Sequence, residues 1–161
     1  MKTEMSCIKL IADFKKRNKN KIAEQKAEES LYKRNIRYIR YGLDYLDSEL
    51  PIYNIPPLVR SAPDFIVFNR FNKPLFFEIK GYMSYVKIKL EDIKNYEKWN
   101  NHMEILFFLY NVKDDKYIEV TFNKIMEIIN FIKPKIKAYP ESPDNKYYEI
   151  PISEIPNEII I

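Results

Sequence analysis

Ile105 to Tyr110 is an unbroken run of six apolar residues. It is far short of the roughly 20 residues needed to cross a bilayer, and it lacks the alternation of a strand with one wet face. It reads as a strand from Glu104 to Tyr110 buried on both sides, which requires a sheet covered by helices on each face. The flanking patterns supply those helices. Ala23, Ala27 and Leu31 recur every four residues, predicting helix over residues 8–33 with a possible break at Asn18-Lys19-Asn20. Leu90, Ile93, Tyr96 and Trp99 recur every three, predicting helix from Lys89 to Asn101, and Thr121 can cap a third helix running to Ile132.

Strands are expected at Ile36–Tyr41, Asp64–Phe68, Leu75–Lys80 and Tyr117–Val120. The link from Asn69 to Pro74 has hairpin composition, because Asn tolerates the left-handed backbone a tight turn requires. Gly42 to Ala62 holds Pro51, Pro56 and Pro57 and reads as a long loop with a helical turn near Asp44–Leu50. Beyond residue 132, Pro134, Pro140, Pro143, Pro151 and Pro156 predict extended chain with one edge strand near Tyr147–Ile150. The fold class is therefore α/β, a central mixed β-sheet flanked by helices. We expect one domain over residues 1–161, with its core at about 20–132 and a Pro-rich extension at 133–161.

Composition narrows the chemistry. The 161 residues include two glycines, one cysteine and one histidine, which excludes the dinucleotide-binding glycine fingerprint, the P-loop, zinc fingers and disulfide frameworks. Nothing around Cys7 or His102 resembles a nucleophile elbow. Carboxylates, lysines and tyrosines remain. The net charge is +4, and its distribution is uneven: Asp13 to Arg40 holds ten Lys/Arg against four Asp/Glu. A basic front end suits a polyanion. With no apolar signal core and no membrane span, a cytoplasmic setting is expected, or the host cytoplasm if the gene is viral.

The hairpin carries the chemistry. Asp64 opens its first strand and Glu78-Ile79-Lys80 closes its second, so folding brings residues 14 apart to one end of the sheet. Residues two apart on a strand share a face, so Glu78 and Lys80 point together, and Asp64 opposite can join them. Two adjacent carboxylates repel unless a proton or cation intervenes, and a hard divalent ion is the usual partner. The lysine can stabilise negative charge or help deprotonate a water. Taken singly, each residue has an ordinary explanation: Pro63-Asp64 can start a strand, and Glu-x-Lys can be a solvated ladder.

Pro63-Asp64 followed by Glu78-Ile79-Lys80 resembles the signature of the PD-(D/E)xK nuclease superfamily, over roughly residues 20 to 120. The resemblance implies a restriction-endonuclease-like αβββαβ core. It also implies Mg²⁺ or Mn²⁺ held by Asp64, Glu78 and the Ile79 carbonyl, with Lys80 beside the attacking water. A glutamate on the first helix often completes such a site. Glu24 is preferred for its spacing to Leu31, and Glu28 stands second, left on the surface near Tyr32. Some subgroups carry Gln-x-x-x-Tyr on the next helix. Here Asp92 replaces the Gln and Tyr96 matches.

The function so implied is a metal-dependent nuclease hydrolysing phosphodiester bonds in DNA. It would be directed by structure or ends rather than by sequence, in the manner of junction resolvases or recombination and repair enzymes, and a homodimer could present two sites. Lys15, Lys16 and Lys19, with Lys87, Lys89 and Lys94, are the candidate phosphate contacts. The alternatives are a non-catalytic nucleic-acid-binding or assembly subunit on the same fold, and an RNA endonuclease.

Overall fold

In a computed structural model, which describes residues 21–42, 55–158 and 161, the apolar run becomes an inner strand of a five-stranded sheet. The elements are α1 (residues 21–33), β1 (Tyr38–Arg40), the single-turn α2 (Pro57–Arg60), β2 (Phe65–Phe68) and β3 (Pro74–Tyr82). There follow β4 (Tyr85–Lys89), α3 (Leu90–Asn100), β5 (Ile105–Asn111), β6 (Lys116–Thr121) and α4 (Phe122–Ile132). The chain continues through β7 (Ile136–Tyr139) and β8 (Ser142–Pro151). The main sheet has the order β1-β2-β3-β5-β6. Only β3 and β5 run parallel, and the other pairs are antiparallel. The expected helix and turn over residues 8–20 and Asp44–Leu50 lie outside the described residues.

Alternation along β5 explains why its sequence shows none. Leu106, Phe108 and Tyr110 pack beneath Ala23, Ala27 and Leu31 of α1, with Phe65, Val67, Leu75 and Phe77 from β2 and β3. Ile105, Phe107 and Leu109 pack on the other side, with Ile93 and Tyr96 of α3 and Phe122, Ile125 and Ile129 of α4. Both faces are covered, so both sets of positions are apolar. The connections follow local chemistry. Asn69 Oδ1 accepts from Phe71 N at 3.0 Å and Lys73 N at 2.9 Å, and Asn72 takes the left-handed conformation at φ 62°. Thr121 caps α4 by accepting from Lys124 N at 3.2 Å.

The C-terminal region departs from expectation. The extended tail with one edge strand is instead a hairpin, β7–β8, that joins β4 in a second sheet of order β4-β8-β7. Its long strand β8 lies in the middle. The prolines allow this because of where they fall. Pro151 is the last residue of β8, and Pro143 sits in the irregular stretch between the Tyr139↔Ser142 and Ala138↔Lys146 pairs. Val86, Ile88, Ile150 and Ile155 fuse this sheet with the core on the α3 and α4 side. The expected connection after Gly81 is thus strand β4, which the alternation of Tyr85, Val86, Lys87, Ile88 and Lys89 could have revealed.

Ile150 is fully buried in this shared core. Ile150→Ala should therefore cost about 2–5 kcal/mol of stability in urea unfolding. A loosely attached tail would lose less than about 0.5 kcal/mol.

Candidate functional site

Asp64 is fixed before any side chain acts. Its carbonyl accepts from Tyr41 N at 2.8 Å and Gly42 N at 2.9 Å, tying the end of β1 to the start of β2. The approach is close at Gly42, where a Cβ would stand 3.1 Å from Asp64 Cα and Pro63 O and push on both. Phe65 faces Phe77 across the hairpin, and one further step places Asp64 opposite Glu78. There Asp64 Oδ2 accepts from Ile79 N at 2.7 Å.

Glu78 is buried and shares one carboxylate oxygen between two donors. Lys80 Nζ donates to Oε1 at 3.0 Å, and Tyr96 OH, arriving from α3, donates to the same atom at 2.5 Å. Lys80 Nζ also lies 3.9 Å from Asp92 Oδ2 and 5.4 Å over the Tyr96 ring. These groups, with Glu24, line a cavity of about 780 Å³ between α1, the end of β3 and the second sheet.

The electrostatics are those of crowded carboxylates. Burial, then the charge of Glu78, pushes Asp64 well above the usual carboxylate range. Glu24 adds to that effect, while the Ile79 N–H and Lys80 oppose it. Burial disfavours the Lys80 ammonium, but Tyr96, Glu78 and Asp92 outweigh it and hold Lys80 well above the ordinary lysine value. Tyr96 is raised strongly by burial and then by Glu78. Among the described residues, no three His, Cys, Asp or Glu side chains are gathered as a complete metal-ligand group. What is present is a pair of hard oxygen donors whose repulsion draws in positive charge, a donor set that suits a hard divalent cation.

Two solved structures share this architecture over most of both chains. One is a nuclease from a fusselovirus, at 16% identity and TM-score 0.53, matching 87% of this chain and 85% of that one. The other is a Holliday junction resolvase from the archaeal hyperthermophile Archaeoglobus fulgidus, at 14% identity and TM-score 0.52, matching 89% of this chain and 92% of that one. The chain shares the fold of that viral nuclease and that resolvase. At these identities the likeness is one of fold. No protein-family model matches the chain, and no curated protein matches it.

On this fold, Asp64, Glu78, Ile79, Lys80 and Glu24 all line the same cavity, as do Lys87 and Lys89. Glu28 is not among the cavity residues. Its Oε1 accepts from Tyr38 OH at 3.2 Å and pairs with Arg40 at 2.9 Å, rather than lying on the surface beside Tyr32. The two glutamates thus part company because α1 presents one toward Asp64 and the other toward β1. Lys94 is exposed on α3 and does not appear in the cavity lining. Lys15, Lys16 and Lys19 lie outside the described residues, and among the described residues no helix is long and apolar enough to cross a membrane.

Sequence reasoning missed the direct roles of Asp92 and Tyr96, whose spacing of four on α3 puts both beside Lys80. It also missed Arg60 and Ser61 at the end of α2, and Tyr85, Tyr139, Glu141 and Glu149 on the second sheet. Arg60 reaches the cavity because Trp99 Nε1 donates to Leu58 O at 3.2 Å, holding α2 against α3. No local signal in the sequence announces that contact.

A raised Asp64 pKa means that folding takes up a proton there. That stability is present below the ordinary Asp range and is lost as pH rises through the raised folded value. Asp64→Asn should therefore raise the Tm of the metal-free protein at neutral pH and leave it nearly unchanged at low pH. Each 1 kcal/mol relieved is worth about 2–4 °C in a chain of this size. Thermal melts in EDTA at two pH values test this, and an equal Tm change at both would contradict it.

Proposed function

We propose that this chain is a metal-dependent nuclease that hydrolyses phosphodiester bonds in DNA, directed by DNA structure or ends. The observation that carries the reading is the convergence of Asp64, Glu78, Lys80 and Glu24 on one cavity at the end of a hairpin. Asp64 and Glu78, with the Ile79 carbonyl and Glu24, are the groups that would hold Mg²⁺ or Mn²⁺. When bound, such an ion supplies Lewis acidity toward the scissile phosphate and lowers the pKa of water.

The chain's own residues do the rest. Lys80 presents an ammonium held by Glu78, placed to stabilise charge that develops on the phosphate and to orient the attacking water. Tyr96 donates to the same Glu78 oxygen as Lys80, so groups from α3 and β3 together orient that carboxylate. The shared oxygen sets the direction in which the remaining lone pairs point. Lys87 and Lys89 bring positive charge to the cavity wall, where a phosphate backbone would run. The likeness to a Holliday junction resolvase supports branched DNA as the first substrate to try.

Cleavage of matched single-stranded, duplex and branched DNA, and of RNA, in Mg²⁺, Mn²⁺ or EDTA tests the proposal. Asp64→Ala, Glu78→Gln and Lys80→Ala should each lower the rate at least ~100-fold, about 2.7 kcal/mol of transition-state stabilisation, with thermal melts showing a folded protein. Glu24→Gln should cost at least about tenfold, or 1.4 kcal/mol, and Glu28→Gln should change little. Near wild-type rates for the Glu78 or Lys80 variant would overturn the assignment, and metal-independent cleavage would overturn its chemistry.

A further inference from the structure

The second sheet has two unlike faces. Val86, Ile88 and Ile150 point into the core and are essentially inaccessible. The alternate positions carry Tyr85, Lys87 and Lys89 on β4, Tyr147 and Glu149 on β8, and Lys137 and Tyr139 on β7. The register aligns them across the sheet: Lys87 faces Glu149, while Tyr147 faces Lys89 on one side and Lys137 on the other. Tyr85, Lys87, Lys89, Tyr139 and Glu149 line the cavity that holds Asp64 and Glu78.

We propose that this face is a stacking wall for unpaired nucleotides, so that the DNA bound at the site is single-stranded beside the scissile phosphate. The inference rests on the nuclease reading of the same cavity. Its chemistry is a mixture of aromatic rings and cations. Tyr147 is itself buried at 5% exposure and supports the wall from beneath, with the Tyr139 ring 4.5 Å away and Lys87 Nζ 4.8 Å over it. The rings of this sheet that reach the cavity are those of Tyr85 and Tyr139, the latter 6.0 Å from Lys87 Nζ. Tyr85 is 48% exposed, although a sheet built only to cover the core needs no aromatic ring on its wet face.

Two of the three lysines meet Glu149, which contacts Lys87 at 3.9 Å and also pairs with Lys137, and Glu141 at the adjoining turn is the second carboxylate against three cations. The face therefore keeps a positive balance while anchoring two of its cations. Duplex DNA buries its base faces in its own stack, so a duplex would use only the lysines. An unpaired strand uses both, its phosphates meeting the lysines and its bases the rings. Base–aromatic stacking is worth about 1–3 kcal/mol per base and is indifferent to sequence. Such a wall selects substrates by strandedness rather than by base identity.

Binding in EDTA separates this inference from catalysis. Fluorescence anisotropy would compare a labelled single strand, the blunt duplex of the same sequence, and the single strand carrying an abasic run. The wild type should bind the single strand at least ~10-fold tighter than the duplex, the effect of one stacked base at about 1.4 kcal/mol. Tyr85→Ala should lose most of that preference, while Tyr85→Phe should retain it. The abasic run should weaken wild-type binding and leave Tyr85→Ala nearly unaffected. Equal wild-type affinity for duplex and single strand, or for intact and abasic strands, would overturn the stacking wall. So would a Tyr85→Ala variant, folded by thermal melt, that keeps the preference. Cleavage that persists without any Tyr85-dependent preference would overturn this inference alone. Single-strand preference without metal-dependent cleavage would overturn the nuclease reading and leave the binding wall in place.

Discussion

The parallel pairing of β3 with β5 is the constraint from which the site follows. Strands that run the same way cannot be joined by a tight turn, so the chain must leave the end of β3, cross a face of the sheet and return. Here the crossover is β4 and α3, and α3 lowers Asp92 and Tyr96 onto Glu78 and Lys80. Strand β2 runs the other way and delivers Asp64 to the same end. The apolar requirement on β3 is met by Leu75, Phe76 and Phe77. That leaves Glu78 and Lys80, further along the strand, to carry charge. A parallel pair in an α/β sheet characteristically offers a crevice at the carboxyl ends of its strands, and this one is occupied by carboxylates.

The same crowding makes the site costly to the fold. Asp64, Glu78, Glu24 and Asp92 share a cavity with Lys80, and the raised pKa of Asp64 records its burial first and then the repulsion of Glu78 and Glu24. The arrangement persists because its geometry is set by groups other than the charges. The Asp64 backbone is held by Tyr41, Gly42 and the hairpin, and the Glu78 carboxylate by Tyr96 from a helix anchored in the Phe107 and Phe122 aromatic cluster. Networks of this kind contribute orientation more than net stability. A second polar linkage does different work: Arg34 NH1 and the buried Glu119 meet at 2.7 Å, pinning the end of α1 to β6. With that end fixed and Ala23, Ala27 and Leu31 seated on the sheet, Glu24 is held at the cavity.

Much of this was legible locally. The four-residue spacing on α1, the period of two that puts Glu78 and Lys80 on one face, the Asn-rich turn and the Thr121 cap each act within a few residues. Sequence pattern reports such effects directly. The second sheet was not legible in the same way. Its strand β8 carries Pro143 and Pro151, which argue against a central strand, yet Pro143 falls at an irregularity and Pro151 at the strand's last position, where proline is tolerated. Strand β4 showed the right alternation over five residues, but a segment that short is a strand only if a partner exists, and its partner lies about 60 residues away. The direct roles of Tyr96 and Asp92 were hidden for a related reason: the same spacing that makes Tyr96 a core residue also points its hydroxyl at Glu78.

The sequence by itself therefore determined the doubly buried strand, the hairpin with its carboxylates, and the helices that flank them, because periodicity and turn chemistry are properties of neighbouring residues. Tertiary structure alone decided that Glu24 enters the cavity while Glu28 turns to Arg40, and that Tyr96 and Lys80 converge on one oxygen. It alone decided that the Pro-rich C-terminal segment returns beside β4 to wall the site with tyrosines and lysines. The reason is physical: these outcomes depend on which faces remain uncovered once the main sheet is formed. The apolar faces of β4 and β8 are buried only against each other's surroundings, with Val86, Ile88 and Ile150 closing the core.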